Sequence, residues 1–244
     1  MEVELSATSL GRIDMDLLSE EHPIGMLIVP SGLHLLRVVD TSRTPHKELL
    51  SALAERWWPT TNTFHFGWGE MTMTPADFSA ISGIPFGTRP LEVFDDWRQD
   101  ISSARMIELI GIDLPRSSRR VARPSLFASL QHIYGGYYDD SISATQAACF
   151  FILLLISATF FVNRRQAVDP GILRSLVDLT ALDQYDWAGA MLSRLYEDMS
   201  ELSHHRIRLC SLSSFWEVYI FLSYIFLCLV FGLTCLIYFV GLGI

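Results

Sequence analysis

The stretch from residue 56 to residue 87, RWWPTTNTFHFGWGEMTMTPADFSAISGIPFG, decides how the chain folds. Two β-prone runs, TFHF (63–66) and MTMT (71–74), flank Gly67-Trp68-Gly69, and together they read as a hairpin. Thr74-Pro75-Ala76-Asp77 then starts a helix, with Thr74 as cap and Asp77 answering it three residues on. That helix carries Phe78 and Ile81 inward and stops at Gly83, and Pro85 and Gly87 turn the chain. Upstream, Thr44-Pro45 is a second helix start, and Leu49, Leu53 and Trp57 fall four apart as one apolar stripe that Pro59 ends.

Working outward, residues 1 to 32 are acidic and without period, the pattern of a flexible lead-in. Residues 101–114 read as helical, followed by an exposed, mobile linker with Arg116, Arg119, Arg120 and Arg123 between Pro115 and Pro124. Leu126 to Ile133 is a further helix, with Gly135-Gly136 and Asp139-Asp140 marking a loop. Ala147 to Val162 is a sixteen-residue run that is apolar but for Ser157 and Thr159, which is short for a membrane span and reads as a buried helix. A short helix follows Pro170. From Asp186 to Leu202, Trp187, Met191, Leu195 and Met199 recur every fourth residue, a core-facing stripe. Val218 to Ile244 holds no charge over 27 residues, with Arg206 and Arg208 before it. That length exceeds the roughly 20 residues a helix needs to cross a bilayer, so 215–244 reads as a single transmembrane tail anchor. The expected fold is mainly α with a small β-hairpin (α+β), one helical domain plus that C-terminal transmembrane helix.

Composition excludes several functions. A formal charge of −9 argues against nucleic-acid binding through phosphate neutralisation. The four cysteines, Cys149, Cys210, Cys228 and Cys235, form no CxxC pair, so a zinc site or disulfide framework is not expected and a reducing compartment fits. Phosphate-loop, GxSxG and HExxH patterns are absent. The one lysine, Lys47, begins an exposed helix and is ill placed for a pyridoxal Schiff base. No glycine precedes an aspartate, which removes the common metallophosphatase signatures. The pair to test for chemistry is His65 and Glu70, which face each other across the hairpin turn as base, metal ligands or a plain structural contact.

With these residues read, ERWWPTTNTFHFGWGEMTMTPADFSAISGIPFG resembles the hallmark of the plant mobile domain, also called the aminotransferase-like plant mobile domain. That family includes maintenance-of-meristems-type and transposon-related proteins. Arg56, Trp57, Pro59, Thr63, Phe64, His65, Gly69, Glu70, Met71, Thr72, Thr74, Asp77, Gly83, Pro85 and Gly87 agree with the hallmark. A second block, YDWAGAMLSRLYEDMSELS (185–203), with Trp187, resembles the family's later motif. The resemblance covers residues 33–210. Beyond them RIRLCSLSSFWEVYIFLSYIF departs from the family pattern, which reads as a truncated domain carrying a membrane anchor or as sequence from outside the usual coding frame.

The resemblance implies a non-enzymatic interaction module linked to meristem maintenance and to transcriptional or transposon silencing. It implies protein partners of unspecified identity, a nuclear location if the tail is not an anchor, and no cofactor. Arg56, Trp57, Pro59, Phe64, His65, Gly69, Glu70, Asp77, Gly83 and Trp187 are then structural motif residues. Two alternatives stand beside it: a hydrolase-like enzyme using His65 and Glu70, and a membrane protein held through residues 218–240.

Overall fold

The computed structural model describes residues 10, 13, 14, 16–38, 46–91, 101–117, 120–160, 167–204 and 213–231. Its centre is α6 (Ala144–Ala158), in which every residue from Ala147 to Ala158 is buried. A helix apolar on all sides is stable in water only when neighbours cover every face. Here α1 (Pro23–Ile28), α4 (Ser103–Ile110) and α5 (Arg123–Tyr138) do so, with the 3-10 segments Leu33–Val38 and Pro170–Leu176. Ser143 and Gln146 form a capping box at its start. The Gln146 amide also donates to the Ile107 and Glu108 carbonyls at the end of α4, tying the two helices together.

A second layer carries the motif. α2 (Lys47–Ala54) leads into β1 (Trp57–Trp58), β2 (Thr63–Phe66) and β3 (Gly69–Met71), an antiparallel sheet in the order β1-β2-β3. α3 (Pro75–Ser82), α7 (Trp187–Ser203) and α8 (Ser213–Phe231) pack around it. The remaining sheet joins β4 (Arg116–Ser117), β5 (Arg120–Ala122) and β6 (Ala167–Val168).

Several expectations need correction. The stripe Leu49, Leu53, Trp57 is not one helix face: α2 ends at Ala54, and Trp57 is a strand residue opposite Phe64. Pro59 disfavours helical backbone just before it, and the strand pairs Trp57 with Phe64, their rings 4.8 Å apart. The proposed start at Thr44-Pro45 lies outside the described residues; the observed cap is His46, whose Nδ1 accepts from Leu49 N. The lead-in is partly built into the core, because Ile13, Leu17, Leu18, Ile24 and Ile28 are buried. Where it is described, the arginine-rich stretch is paired strand rather than open linker, β4 running antiparallel to β5, with Arg116 donating to the Ile101 carbonyl and the Ser103 hydroxyl. α5 continues through Gly135-Gly136 to Tyr138, since Ile133, Tyr134 and Tyr137 pack its last turns on the core.

The C-terminal transmembrane helix, and the single-pass membrane location that followed from it, are overturned. Among the described residues no helix is long and apolar enough to cross a membrane. The first half of the uncharged run belongs to α8, which buries Phe215, Trp216 and Tyr219 against the domain. Tyr219 donates to the Thr72 carbonyl, and Glu217 accepts from His46 N. Residues 232–244 of the expected anchor lie outside the described residues.

Candidate functional site

The pleat of β1 and β2 sorts the motif side chains onto two faces. Inward go Trp57, Phe64 and, at the margin, Phe66; outward go Trp58, Thr63 and His65. On the inner face Trp57 is 5 % exposed and sits in an aromatic nest with Phe64, Trp216 and Tyr196 at centroid distances of 4.8, 5.5 and 5.9 Å. Its indole N–H donates to Ser200 Oγ on α7 at 2.8 Å, so the ring is both enclosed and satisfied. Tyr196 donates to the Met73 carbonyl, and burial holds its phenol above its ordinary pKa. Burial likewise pushes Tyr219 up to about 12.

On the outer face His65 stacks on Trp58 with centroids 4.7 Å apart, and it pairs with Glu70 across the hairpin. The His65 Nε2 atom is enclosed and lies 3.6 Å from Glu70 Oε2, slightly beyond hydrogen-bond length. Glu70 also accepts from Thr63 Oγ1 at 3.4 Å. Hence the structure does bring the sequence-predicted pair together. No third ligating group joins it: among the described residues no cluster of three His, Cys, Asp or Glu forms. Cys149 is buried in α6 and donates to the Leu176 carbonyl, and burial pushes its thiol up to about 12.

The remaining motif residues shape backbone. The Arg56 side chain is exposed while its carbonyl accepts from His65 N at 2.9 Å. Pro59 follows β1 into the turn, and Gly69 opens β3. Thr74 and Asp77 complete a reciprocal capping box on α3. Gly83 ends α3 at φ 72°, where other residues are strained, and a β-carbon there would stand 2.6 Å from Leu35 Cδ1. Trp187 is buried, its indole donating to the Leu182 carbonyl at 2.9 Å.

Sequence reasoning missed what joins the two motif blocks. Asp186 caps α7 through Gly189 N and accepts from Gly87 N at 3.2 Å, while its own N–H donates to the Arg89 carbonyl at 2.7 Å. Thr88 and Arg89 donate to the Gln184 carbonyl, and the Arg89 guanidinium lies 4.7 Å from the Tyr185 ring centroid. A β-carbon on Gly87 would stand 2.4 Å from the Tyr185 backbone, so glycine is what lets the blocks touch. An Asp just before a helical stripe was a readable cap signal. Nothing in the sequence pointed to Ser200 or Trp216. Beside the hairpin tip, Trp68, Met71, Ile81, Tyr219 and Leu222 border an open cleft of about 520 Å³.

A family model described as Plant mobile domain matches residues 32–224, which spans both motif blocks and the Trp216-bearing start of α8. The chain belongs to the plant mobile domain family. Protein MAINTENANCE OF MERISTEMS of Arabidopsis thaliana is 30% identical over 183 residues, 72% of this chain and 37% of its own length. Protein MAIN-LIKE 1 of Arabidopsis thaliana is 28% identical over 167 residues, 65% of this chain and 32% of its own. This plant mobile domain chain thus spans about a third of the length of those relatives. No solved structure matches it. The match runs to residue 224 and so includes Trp216 of α8, which completes the nest around Trp57.

Proposed function

We propose that this plant mobile domain is a non-enzymatic protein-interaction module in a meristem-maintenance-type factor, and that its partner is gripped by the outer face of the hairpin. The observation that carries the reading is the division of labour across the pleat. Trp57 and Phe64 are consumed in the core, whereas Trp58, 53% exposed, stands in water braced by the His65 ring. An exposed indole held rigid by stacking loses little entropy on binding, which is why Trp is enriched at interface hot spots. Glu70 beside it favours a partner presenting a basic or hydrogen-bond-donating group. A relative whose name refers to meristem maintenance supports the process assigned, since its match covers 72% of this chain.

The experiment compares Trp58→Ala and Glu70→Gln with the parent chain in proximity labelling in plant cells, alongside thermal melting. Loss of the same set of labelled proteins in both variants, at unchanged melting temperature, is expected. Identical labelling in all three would refute the reading. So would a metal-dependent hydrolysis by the purified chain that His65→Ala abolishes without unfolding it, which is the hydrolase alternative.

A further inference from the structure

The cleft beside the hairpin tip is apolar with one charged group in it. Trp68, Met71, Ile81 and Leu222 line it, and so do Asp77 and Tyr219. Among the described residues no lysine, arginine or histidine lines it. α3 fixes the carboxylate: Thr74 N and Thr74 Oγ1 both donate to Asp77 Oδ2, at 2.8 and 2.7 Å, so the cap is built without Oδ1. Tyr219 commits its proton to the Thr72 carbonyl, and its oxygen therefore meets a ligand only as an acceptor. Burial pushes that phenol up to about 12, with the Asp77 charge adding to the shift, and this keeps the proton in place. Trp68 is 62% exposed; Phe66 stacks on one face of its indole at 5.0 Å and leaves the other to a ligand.

We propose that this cleft takes the lysine side chain of a protein partner, its ammonium on Asp77 Oδ1 and its aliphatic stem along Met71, Ile81 and Leu222. A carboxylate beside a phenol that can only accept selects a cation bearing N–H groups over an anion or a carbonyl. The bonding of the carboxylate then separates lysine from arginine. A guanidinium fork takes both oxygens at once, and Oδ2 already holds two donors, whereas an ammonium needs one oxygen. The open indole face adds attraction for that ammonium. The apolar walls cover the methylene stem, which a bare inorganic cation lacks. The positive end of α3 opposes a cation, but it carries about half a charge against the full charge of the carboxylate. With about 520 Å³ open to solvent, the cleft has room for the backbone that presents the side chain.

Trp58, His65 and Glu70 do not line the cleft, so this site is separate from the one on the outer face of the hairpin. The test titrates the full chain, methyl-labelled at Met and Ile, with the blocked peptide Gly-Gly-Lys-Gly-Gly and its arginine and norleucine counterparts. Saturable shifts of the Met71 and Ile81 methyl signals are expected with the lysine peptide, weaker binding with arginine, and none with the neutral norleucine. Asp77→Asn removes the charge while its amide oxygen can still accept from Thr74 N, and it should weaken the lysine peptide by about fivefold or more. Trp68→Ala should weaken it about threefold, and Glu70→Gln should leave it unchanged. If Asp77→Asn misfolds, Trp68→Ala decides. Absence of shifts with the lysine peptide overturns the proposal, as does a folded Asp77→Asn that binds like the parent. Norleucine binding as well as lysine overturns it too, since the cleft would then be merely apolar, and so does tighter binding of arginine. Loss of the shifts in Glu70→Gln would place the cation on the hairpin instead.

Discussion

Trp57 touches three aromatic rings and one serine, all drawn from other parts of the chain, and it is nearly inaccessible to water. Replacing it with alanine empties that nest and strands the Ser200 hydroxyl. Trp57→Ala is therefore expected to cost about 3–5 kcal/mol, read as a lowered midpoint in urea unfolding. A variant that unfolds at the parental midpoint would show that the hallmark indole does not hold the domain together. Asp198 on α7 invites a second prediction. Its carboxylate is 2.7 Å from Arg194 Nη2, but its oxygens lack aligned hydrogen-bond donors, and burial pushes it up to about 6 against an ordinary 3.8. With the folded pKa above the unfolded one, its stabilising contribution is complete below about pH 4 and is lost as pH rises through about 6. Asp198→Asn removes that decline. The stability of the variant relative to the parent should rise by on the order of 2 kcal/mol from pH 4 to pH 7. A difference constant across that range, measured by melting at each pH, would contradict the assignment.

Elements obey local rules until they meet one another. The capping box of α3, the Gly83 stop, the β2–β3 hairpin and α7 were all readable, because each depends on residues within a few positions of one another. β1 was not, since its pairing with β2 competes with a helical stripe that looks equally good in isolation. The contact between the motif blocks was invisible for the same reason: Gly87 and Tyr185 are far apart in sequence. Gly87→Ala is expected to push the blocks apart at a cost of about 1–3 kcal/mol, while leaving helix content by far-ultraviolet circular dichroism almost unchanged. If the loss of stability fails to appear in chemical denaturation, the close approach is not what requires glycine there.

At the scale of the molecule, α8 is the closing piece. Phe215 stacks against Phe78 and lies 5.3 Å from Phe160, and Trp216 reaches Trp57 and Phe64. Deleting residues 213–244 is expected to uncover that aromatic layer and drive the rest of the chain into the insoluble fraction. A fragment ending at residue 212 that is soluble and melts cooperatively would contradict this. The outcome separates α8 from an appended anchor, whose removal would release an intact domain. What this chain's amino acids determined unaided was the periodic and the punctuated: an all-apolar helix with nowhere to go but the centre, caps and stops written into α3, a hairpin with glycines at its turn, and membership of its family. The destination of the apolar run after residue 212, the strand state of Trp57 and the marriage of the two motif blocks were decided only by the tertiary structure. Hydropathy measures how much a segment gains by leaving water, but not which surface receives it, and for α8 the receiving surface joins Trp57 and Thr72, more than a hundred positions upstream, to the nearer Phe160 and Tyr196.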